Sequence, residues 1–175
     1  AWIDRLPMDV WDRHPLLILR RGRIHTENAD WECADKMLQR SFLLLMERED
    51  LTNAARALVQ HAVMYRLRGQ LDMAIATLQR VSEVGGERDA LCAIQMHHNL
   101  GICYYMQGNL DQSAIELSTA FEIARRHMDD THAALVAQDI GHIAVDQGRL
   151  LEGRQYFHQA LLHWRKLGNL SELST

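Results

Sequence analysis

The chain has 175 residues, and its apolar (47%) and charged (24%) fractions are those of a globular domain that can bury a core. The formal net charge of −4 argues against nucleic-acid binding, which would need a clustered basic surface. Apolar runs such as 15–19 and 42–46 are only five residues long, far short of the roughly 20 residues that span a bilayer. No secretory signal opens the chain, and the three widely spaced cysteines indicate free thiols, so we expect a cytoplasmic protein.

Proline and apolar spacing predict helices along nearly the whole chain. Both prolines, Pro7 and Pro15, fall in the first fifteen residues, and Pro15 suits the first turn of a helix. Strand-like alternation is absent, and apolar residues recur at steps of three and four, as in Leu71, Ile75, Leu78 and Val81.

The helices repeat. The stretch "YRLRGQLDMAIATL" (65–78) returns as "YYMQGNLDQSAIEL" (104–117), and Gly69, Gly108 and Gly148 are spaced by 39 and 40 residues. Ala29 lies at the corresponding position 40 residues before Gly69. A glycine at this spacing favours a tight turn with positive φ, so each repeat is predicted to be a pair of helices joined at this position. Because one pair cannot bury its apolar face alone, we predict an all-α α-solenoid of four hairpins with a period of about 40 residues.

The predicted domain is residues 15–168, divided into four units at about 15–48, 50–86, 88–127 and 129–168. Residues 1–14 are predicted to be the end of a preceding helix and a linker. The last stretch, 169–175, is predicted to begin a further helix of a longer repeat array. Exposed ends of such an array could self-associate.

The third unit reads His97-x2-Leu100-Gly101-x2-Tyr104 and then Ser113-x3-Leu117, which resembles the tetratricopeptide (TPR) signature W-x2-L-G-x2-Y, A-x3-F. When the four units are aligned, two positions are always occupied by a small residue and a third by a large one. The two helices of a pair should therefore approach closely. The residues at the three positions are Gly22, Ala62, Gly101 and Gly141; Ala34, Ala74, Ser113 and Gly153; and Leu38, Leu78, Leu117 and Phe157. The closing proline of the signature is absent, and the period exceeds the usual 34.

Two phrases suggest a narrower resemblance. Leu6-Pro7 followed by Arg13-His14-Pro15-Leu16-Leu17, and Trp164-Arg165-x-Leu167-Gly168, resemble the sensor arm of large ATP-dependent LuxR-family (MalT-like) bacterial transcriptional regulators. That resemblance implies a sensing role here, with ATPase and DNA-binding domains elsewhere in a full-length chain. No phosphate-binding G-x-x-x-x-G-K-[ST] occurs in this sequence.

No catalytic, metal or cofactor site is predicted. None of the ten histidines is paired at i, i+4, and neither H-E-x-x-H nor C-x-x-C occurs. Cys103 could in principle pair with a histidine as a nucleophile, but its place two residues after Gly101 favours a buried, inert thiol. Tyr65 and Tyr104 are interpreted as core residues. The acidic residues of 128–130 are expected at a helix start, and Asp50 or Thr52 is expected to cap a helix.

A binding surface is predicted on the first helix of each pair, which lines the concave side of such arrays. This surface would suit a peptide, a protein or a polar small effector, although a solvated face with no ligand is the alternative. The candidate residues are Arg23, Arg56, Gln60, Arg66, Gln95, His98, Asn99, Tyr105, Gln138, Asp139 and His142, with Val59, Leu135 and Asp146 on the same faces.

Chaperone-tail recognition is not expected, because the cationic clamp for a terminal carboxylate is missing. Two functions follow: a non-catalytic sensor arm of a transcriptional regulator that binds an inducer or a regulatory protein, or a stand-alone TPR adaptor that assembles other proteins. Neither involves direct contact with nucleic acid or a membrane.

Overall fold

The computed structural model describes residues 11–168, which are all-helical apart from the connecting turns. The predictions for 1–10, including the Leu6-Pro7 phrase, and for the helix start at 169–175 lie outside the described residues. The helices are α1 (Pro15–Glu27), α2 (Trp31–Glu47), α3 (Leu51–Leu67), α4 (Leu71–Glu83), α5 (Ala90–Met106), α6 (Leu110–Arg126), α7 (Asp130–Asp146) and α8 (Leu150–Lys166), with a 3₁₀ turn at Gly86–Arg88.

The chain divides into two compact units, each larger than one predicted repeat. From here on, the first unit is the part that ends at Cys92 and the second unit is the part that begins at Ala93. Each is described by itself. Within the described residues, no helix is both long enough and apolar enough to cross a bilayer.

Short polar side chains cap several of the helices. Asp30, Asp50, Asn109 and Asp129 each accept a hydrogen bond from the backbone N–H three residues later. Such a bond satisfies one of the otherwise unpaired donors of a first helical turn. Asp50 is therefore the cap of α3, as predicted, and Asp129 confirms the predicted helix start at 128–130. Pro15 occupies the first turn of α1, also as predicted.

The predicted glycine turns are confirmed. Gly69, Gly108 and Gly148 have φ of +81°, +78° and +75°, and Ala29, at the aligned position, has φ of +56°. These left-handed residues end the first helix of each pair and allow the chain to reverse direction.

The connections that follow α2 and α6 use the same left-handed conformation, which the sequence did not reveal. Glu49 and Met128 have φ of +58° and +54°, although neither is a glycine. Positive φ therefore recurs every twenty residues, at 29, 49 and 69 in the first unit and at 108, 128, 148 and 168 in the second. The regularity was hidden because alanine, glutamate and methionine carry no turn signal.

One connection departs from this spacing. Helix α4 has 13 residues where α2 and α3 have 17, and Gly85 (φ +75°) and the 3₁₀ turn follow it. A Cβ added at Gly86 would lie 2.5 Å from Val81 Cγ1 and 2.8 Å from Ala55 Cβ, so this turn packs directly on α3 and α4. The shortened helix accounts for the 39-residue interval between Gly69 and Gly108.

In the first unit, helix pairs close over small residues as predicted. A Cβ at Gly22 would lie 2.8 Å from Leu38, so α1 and α2 touch there. Ala62 and Leu78 are both fully buried in the second pair. The cores are completed by two clusters of α2 and α3 residues: Ala34, Leu38 and Met64, and Leu45, Ala54 and Ala57.

The second unit is built in the same way. A Cβ would lie 2.5 Å from Leu117 if added at Gly101, and 2.7 Å from Phe157 if added at Gly141. Ser113 is fully buried, and its hydroxyl has no hydrogen-bond partner, so its small size is what the packing requires. Phe121 of α6 and Trp164 of α8 belong to one buried cluster with the alanines of α7.

Met128 offers a test of the recurrent left-handed turn. Its side chain is 86% exposed, so replacing it removes almost no packing, while a left-handed non-glycine residue costs roughly 1–2 kcal/mol. We expect Met128→Gly to raise the free energy of unfolding by about 1 kcal/mol after the added chain entropy of glycine. Met128→Ala shortens the side chain without relieving φ, and it should leave stability nearly unchanged in urea unfolding. Equal stability of the two variants would contradict a strained turn.

Gly101 tests the close approach of α5 and α6. We expect Gly101→Val to lower the free energy of unfolding by about 1–3 kcal/mol, because its Cβ would overlap Leu117. Gln112→Val places the same side chain on an exposed position of α6 and should change stability by less than about 0.5 kcal/mol. Chemical denaturation of both variants makes the comparison, and a Gly101→Val variant as stable as the control would mean that the helices are not in tight contact.

Candidate binding surfaces

Two of the three predicted arginines of the first unit bond carboxylates of that unit. Arg23 Nε donates to Glu27 Oε1 at 3.0 Å on the exposed side of α1. Arg56 Nη2 donates to Asp89 Oδ2 at 3.0 Å, while its Nε is buried without a partner. Arg23 and Arg56 are therefore each matched by a carboxylate of the same unit.

The other α3 residues on the predicted face differ in exposure. Gln60 and Arg66 are half-buried. Val59 is only 1% exposed, so its expected place on the binding face is wrong. It lies on the side of α3 that packs against its neighbours.

A cluster in the first unit was missed by sequence reasoning. Oδ1 of Asp35, on α2, lies 2.6 Å from His61 Nε2 and accepts the hydroxyl of Tyr65 at 3.1 Å. The His61 and Tyr65 rings stack with centroids 4.6 Å apart. Burial, and then the neighbouring Asp35 carboxylate, raise the pKa of Tyr65.

The Tyr65 ring packs against the buried cluster around Leu38, which agrees with its predicted core role, and only its hydroxyl is engaged by Asp35. The cluster borders a cleft of about 210 Å³ that is also lined by Phe42 and Arg80. Nothing in the sequence links Asp35 to His61, since their contact depends on how α2 packs on α3.

In the second unit the structure joins the predicted residues of α5 to those of α7. His98 Nε2 lies 2.6 Å from Asp139 Oδ2, and the Tyr105 hydroxyl donates to Asp146 Oδ2 at 2.5 Å. Both pairs are separated by 41 residues, so they repeat one contact seven residues, or about two helical turns, further along. We call these four residues, His98, Tyr105, Asp139 and Asp146, the α5–α7 strip.

The remaining predicted residues of this unit have three different environments. Asn99 is only 8% exposed, and its amide donates to the Gln95 carbonyl at 2.8 Å, which turns it away from solvent. Gln95 and Gln138 are half-buried. His142 is exposed and stands edge-on to the Phe157 ring, with centroids 5.0 Å apart.

The α5–α7 strip is acidic. Neither α5 nor α7 contains a lysine or arginine, whereas α7 contributes Asp130, Asp139 and Asp146. The side chain of Asp139 is 37% exposed and Asp146 is exposed, so both carboxylates can reach a partner. The hydrogen bond to Asp146, and then burial, raise the pKa of Tyr105, which keeps its hydroxyl a donor.

The three cysteines differ in exposure. Cys92 and Cys103 are buried, as predicted for Cys103, and Cys33 is exposed. Burial raises the pKa of the Cys92 thiol to about 11, which disfavours the nucleophilic thiolate at neutral pH. Cys33 lies near His25 and Asp30, a grouping that the search for i, i+4 histidine pairs could not find.

Asp130 is bound by two basic side chains of α8. Its Oδ1 lies 2.5 Å from His163 Nδ1 and 3.1 Å from Lys166 Nζ, and the bond to His163, followed by that to Lys166, lowers the pKa of Asp130 from the ordinary aspartate value. The stabilising effect of the carboxylate is therefore fully present at pH values above the ordinary aspartate pKa, and it is lost as pH falls through the lowered pKa of the folded state.

We accordingly expect Asp130→Asn to be less stable than the unaltered protein at pH 7, with the difference vanishing in strong acid. Unfolding free energies measured by denaturant titration between pH 7 and pH 2 check this. As a control, Asp111→Asn in the first turn of α6 should give a smaller difference, because no basic partner is bonded to Asp111 in the same way. A difference for Asp130→Asn that does not depend on pH would contradict the assignment.

Comparison with known proteins agrees with the helical pairs. Residues 53–126 match the family model described as "Tetratricopeptide repeat". The solved structure "Crystal structure of MamA" superposes with a TM-score of 0.65 at 20% sequence identity, covering 92% of this chain and 86% of that chain. No curated protein sequence matches the chain. The predicted fold class, all-α with TPR-like repeats, is confirmed.

Proposed function

We propose that this chain is a non-catalytic protein-interaction module, and that the α5–α7 strip binds a segment of a partner protein carrying lysine or arginine side chains. A TPR-like fold supports protein binding in general. The specific proposal depends on one observation: two carboxylates, Asp139 and Asp146, lie two helical turns apart on α7, and neither α7 nor the neighbouring α5 contains a lysine or arginine.

The hydrogen bonds of the strip orient these carboxylates. His98 and Tyr105 each engage one oxygen, Oδ2, of Asp139 or Asp146, which orients the side chain, and the second oxygen can accept a hydrogen bond from a partner. A carboxylate can accept several hydrogen bonds, and those from lysine or arginine are among the strongest. Pre-orientation lowers the entropic cost of binding.

Comparison with the first unit favours the strip as the binding surface for a basic partner segment. Arg23 and Arg56 each bond a carboxylate of their own unit, so part of their charge is already compensated. The acidic groups of the strip are bonded by an imidazole and a phenol, and no guanidinium or ammonium group stands on α5 or α7. A basic partner segment would therefore find uncompensated negative charge there.

The finer proposal, taken from the sequence resemblance, is that the module is the sensor arm of a bacterial transcriptional regulator. The described phrases that carry this resemblance have packing roles: Trp164 is buried in the core of the second unit, and Pro15 is buried at the start of α1. A stand-alone adaptor would need the same contacts. The sequence of the complete gene separates the two, because an ATPase motif or a helix-turn-helix in the same chain supports the regulator.

The charge preference can be measured with two fluorescent peptides of equal length, one alternating lysine with alanine and one alternating glutamate with alanine. We expect the lysine peptide to raise fluorescence anisotropy on binding, with an affinity that falls as salt is added, and the glutamate peptide to bind much more weakly. Asp139→Asn combined with Asp146→Asn should lower the affinity for the lysine peptide by about 5- to 30-fold. This range follows from a loss of about 0.5–1 kcal/mol for each of two exposed ion pairs.

The matched control is Asp111→Asn combined with Glu122→Gln. It changes the net charge by the same amount, but both residues lie on exposed positions of α6. It should leave the affinity for the lysine peptide nearly unchanged. If both double variants weaken binding equally, the peptide responds to overall charge and the strip is not the binding surface.

A further inference from the structure

We propose that His25, Asp30 and Cys33 form a binding site for a single divalent transition-metal ion of the Zn²⁺ or Co²⁺ type at the turn between α1 and α2. The nitrogen of His25, a carboxylate oxygen of Asp30 and the sulfur of Cys33 all lie within 4.8 Å of one another. No other group of three such residues meets this spacing between residues 11 and 168.

The backbone of the turn holds the three residues together. The Asp30 N–H donates to the His25 carbonyl at 2.9 Å, and the left-handed Ala29 donates to the Thr26 carbonyl at 3.1 Å. Asp30 then caps α2 by accepting the backbone N–H of Cys33 at 3.4 Å. The donors thus come from the last turn of α1, the connection and the first turn of α2, and their spacing is set by regular secondary structure.

The three side chains already converge on a shared carboxylate. His25 Nδ1 lies 2.9 Å from Asp30 Oδ2, and the Cys33 sulfur lies within 4.8 Å of a ligand atom of each. A divalent cation would replace the thiol proton of Cys33 and bind the unprotonated Nδ1 of His25. Binding therefore releases the thiol proton to solvent, and it should weaken as pH falls.

The donor set favours zinc-like ions over magnesium or calcium. One imidazole nitrogen, one carboxylate oxygen and one thiolate sulfur are ligands typical of Zn²⁺, whereas Mg²⁺ and Ca²⁺ prefer oxygen alone. Metal–ligand distances of about 2.0–2.3 Å place tetrahedral donors about 3.3–3.8 Å apart. Small side-chain rotations would reach this spacing, and the fourth position is left to water.

Exposure of the site allows an ion to enter. Cys33 is exposed, and the side chains of His25 and Asp30 are 21% and 45% exposed. The cap of α7 provides a comparison within the same molecule: Asp129 lies 2.8 Å from His132 Nδ1 and caps the helix in the same way, yet no cysteine completes that pair. The thiol of Cys33 therefore distinguishes the turn between α1 and α2 from an ordinary helix cap.

The test is titration of the whole, tag-free chain with Co²⁺ under reducing conditions, followed by absorption spectroscopy. We expect a thiolate-to-Co²⁺ charge-transfer band in the near ultraviolet that saturates at one equivalent. Cys33→Ser should abolish the band, while Asp30→Asn, which preserves the helix cap, and His25→Gln should each weaken binding by at least about tenfold. His132→Gln should leave the titration unchanged.

A second readout does not depend on colour. Zn²⁺ should raise the melting temperature of the unaltered chain and of His132→Gln, since an ion that binds only the folded state stabilises it, but it should not raise that of Cys33→Ser. Absence of the charge-transfer band, or a band that persists in Cys33→Ser, would overturn the proposal, because the thiol of Cys33 would then not be a ligand.

Discussion

The structure depends on one constraint: in each helical pair, a small residue of the first helix faces a large residue of the second. At Gly22 and Gly101 there is no room for even one more carbon atom, because Leu38 and Leu117 fill the space. At Gly141 the occupant is the Phe157 ring. This contact sets how closely two helices approach and therefore which of their remaining side chains are left at the surface.

The turns determine where those surface residues recur. A left-handed residue appears every twenty residues from 29 to 69 and from 108 to 168, whether or not it is a glycine. Regular turns bring α5 beside α7, and the pairs His98–Asp139 and Tyr105–Asp146 join residues 41 positions apart, one more than the 40-residue repeat between these helices. The residues that pack are repeated, whereas those of the strip are not, so binding properties can change without disturbing the scaffold.

Sequence reasoning predicted the helical pairs well because their signals are local. The glycine at 69, 108 and 148, the caps at Asp50 and Asp129 and the small-residue positions all reflect contacts within one pair or one turn. The sequence also assigned His98, Tyr105, Asp139 and Asp146 to one binding surface from helical periodicity. The structure joins them in two hydrogen-bonded pairs, and their role in binding stays a prediction.

Features that depend on packing between pairs, or on uncommon backbone conformations, could not be predicted. The Asp35–His61–Tyr65 cluster joins residues 26 and 30 positions apart that no motif connects. Val59 was expected at the surface, but α3 is packed on more sides than its periodicity indicates, and its side chain is buried. Glu49 and Met128 carry no sequence signal for positive φ, and the meeting of His25 with Cys33 depends on the turn at Ala29.

Scaffold residues build the fold, and we propose that the α5–α7 strip binds a basic partner segment. Amide chemical-shift mapping during titration with a lysine-bearing peptide tests this proposal. We expect the largest shifts to cluster at residues 98, 105, 139 and 146, with little change along α6 and α8. Shifts centred on α6 and α8, or spread evenly over the acidic residues of the chain, would contradict it.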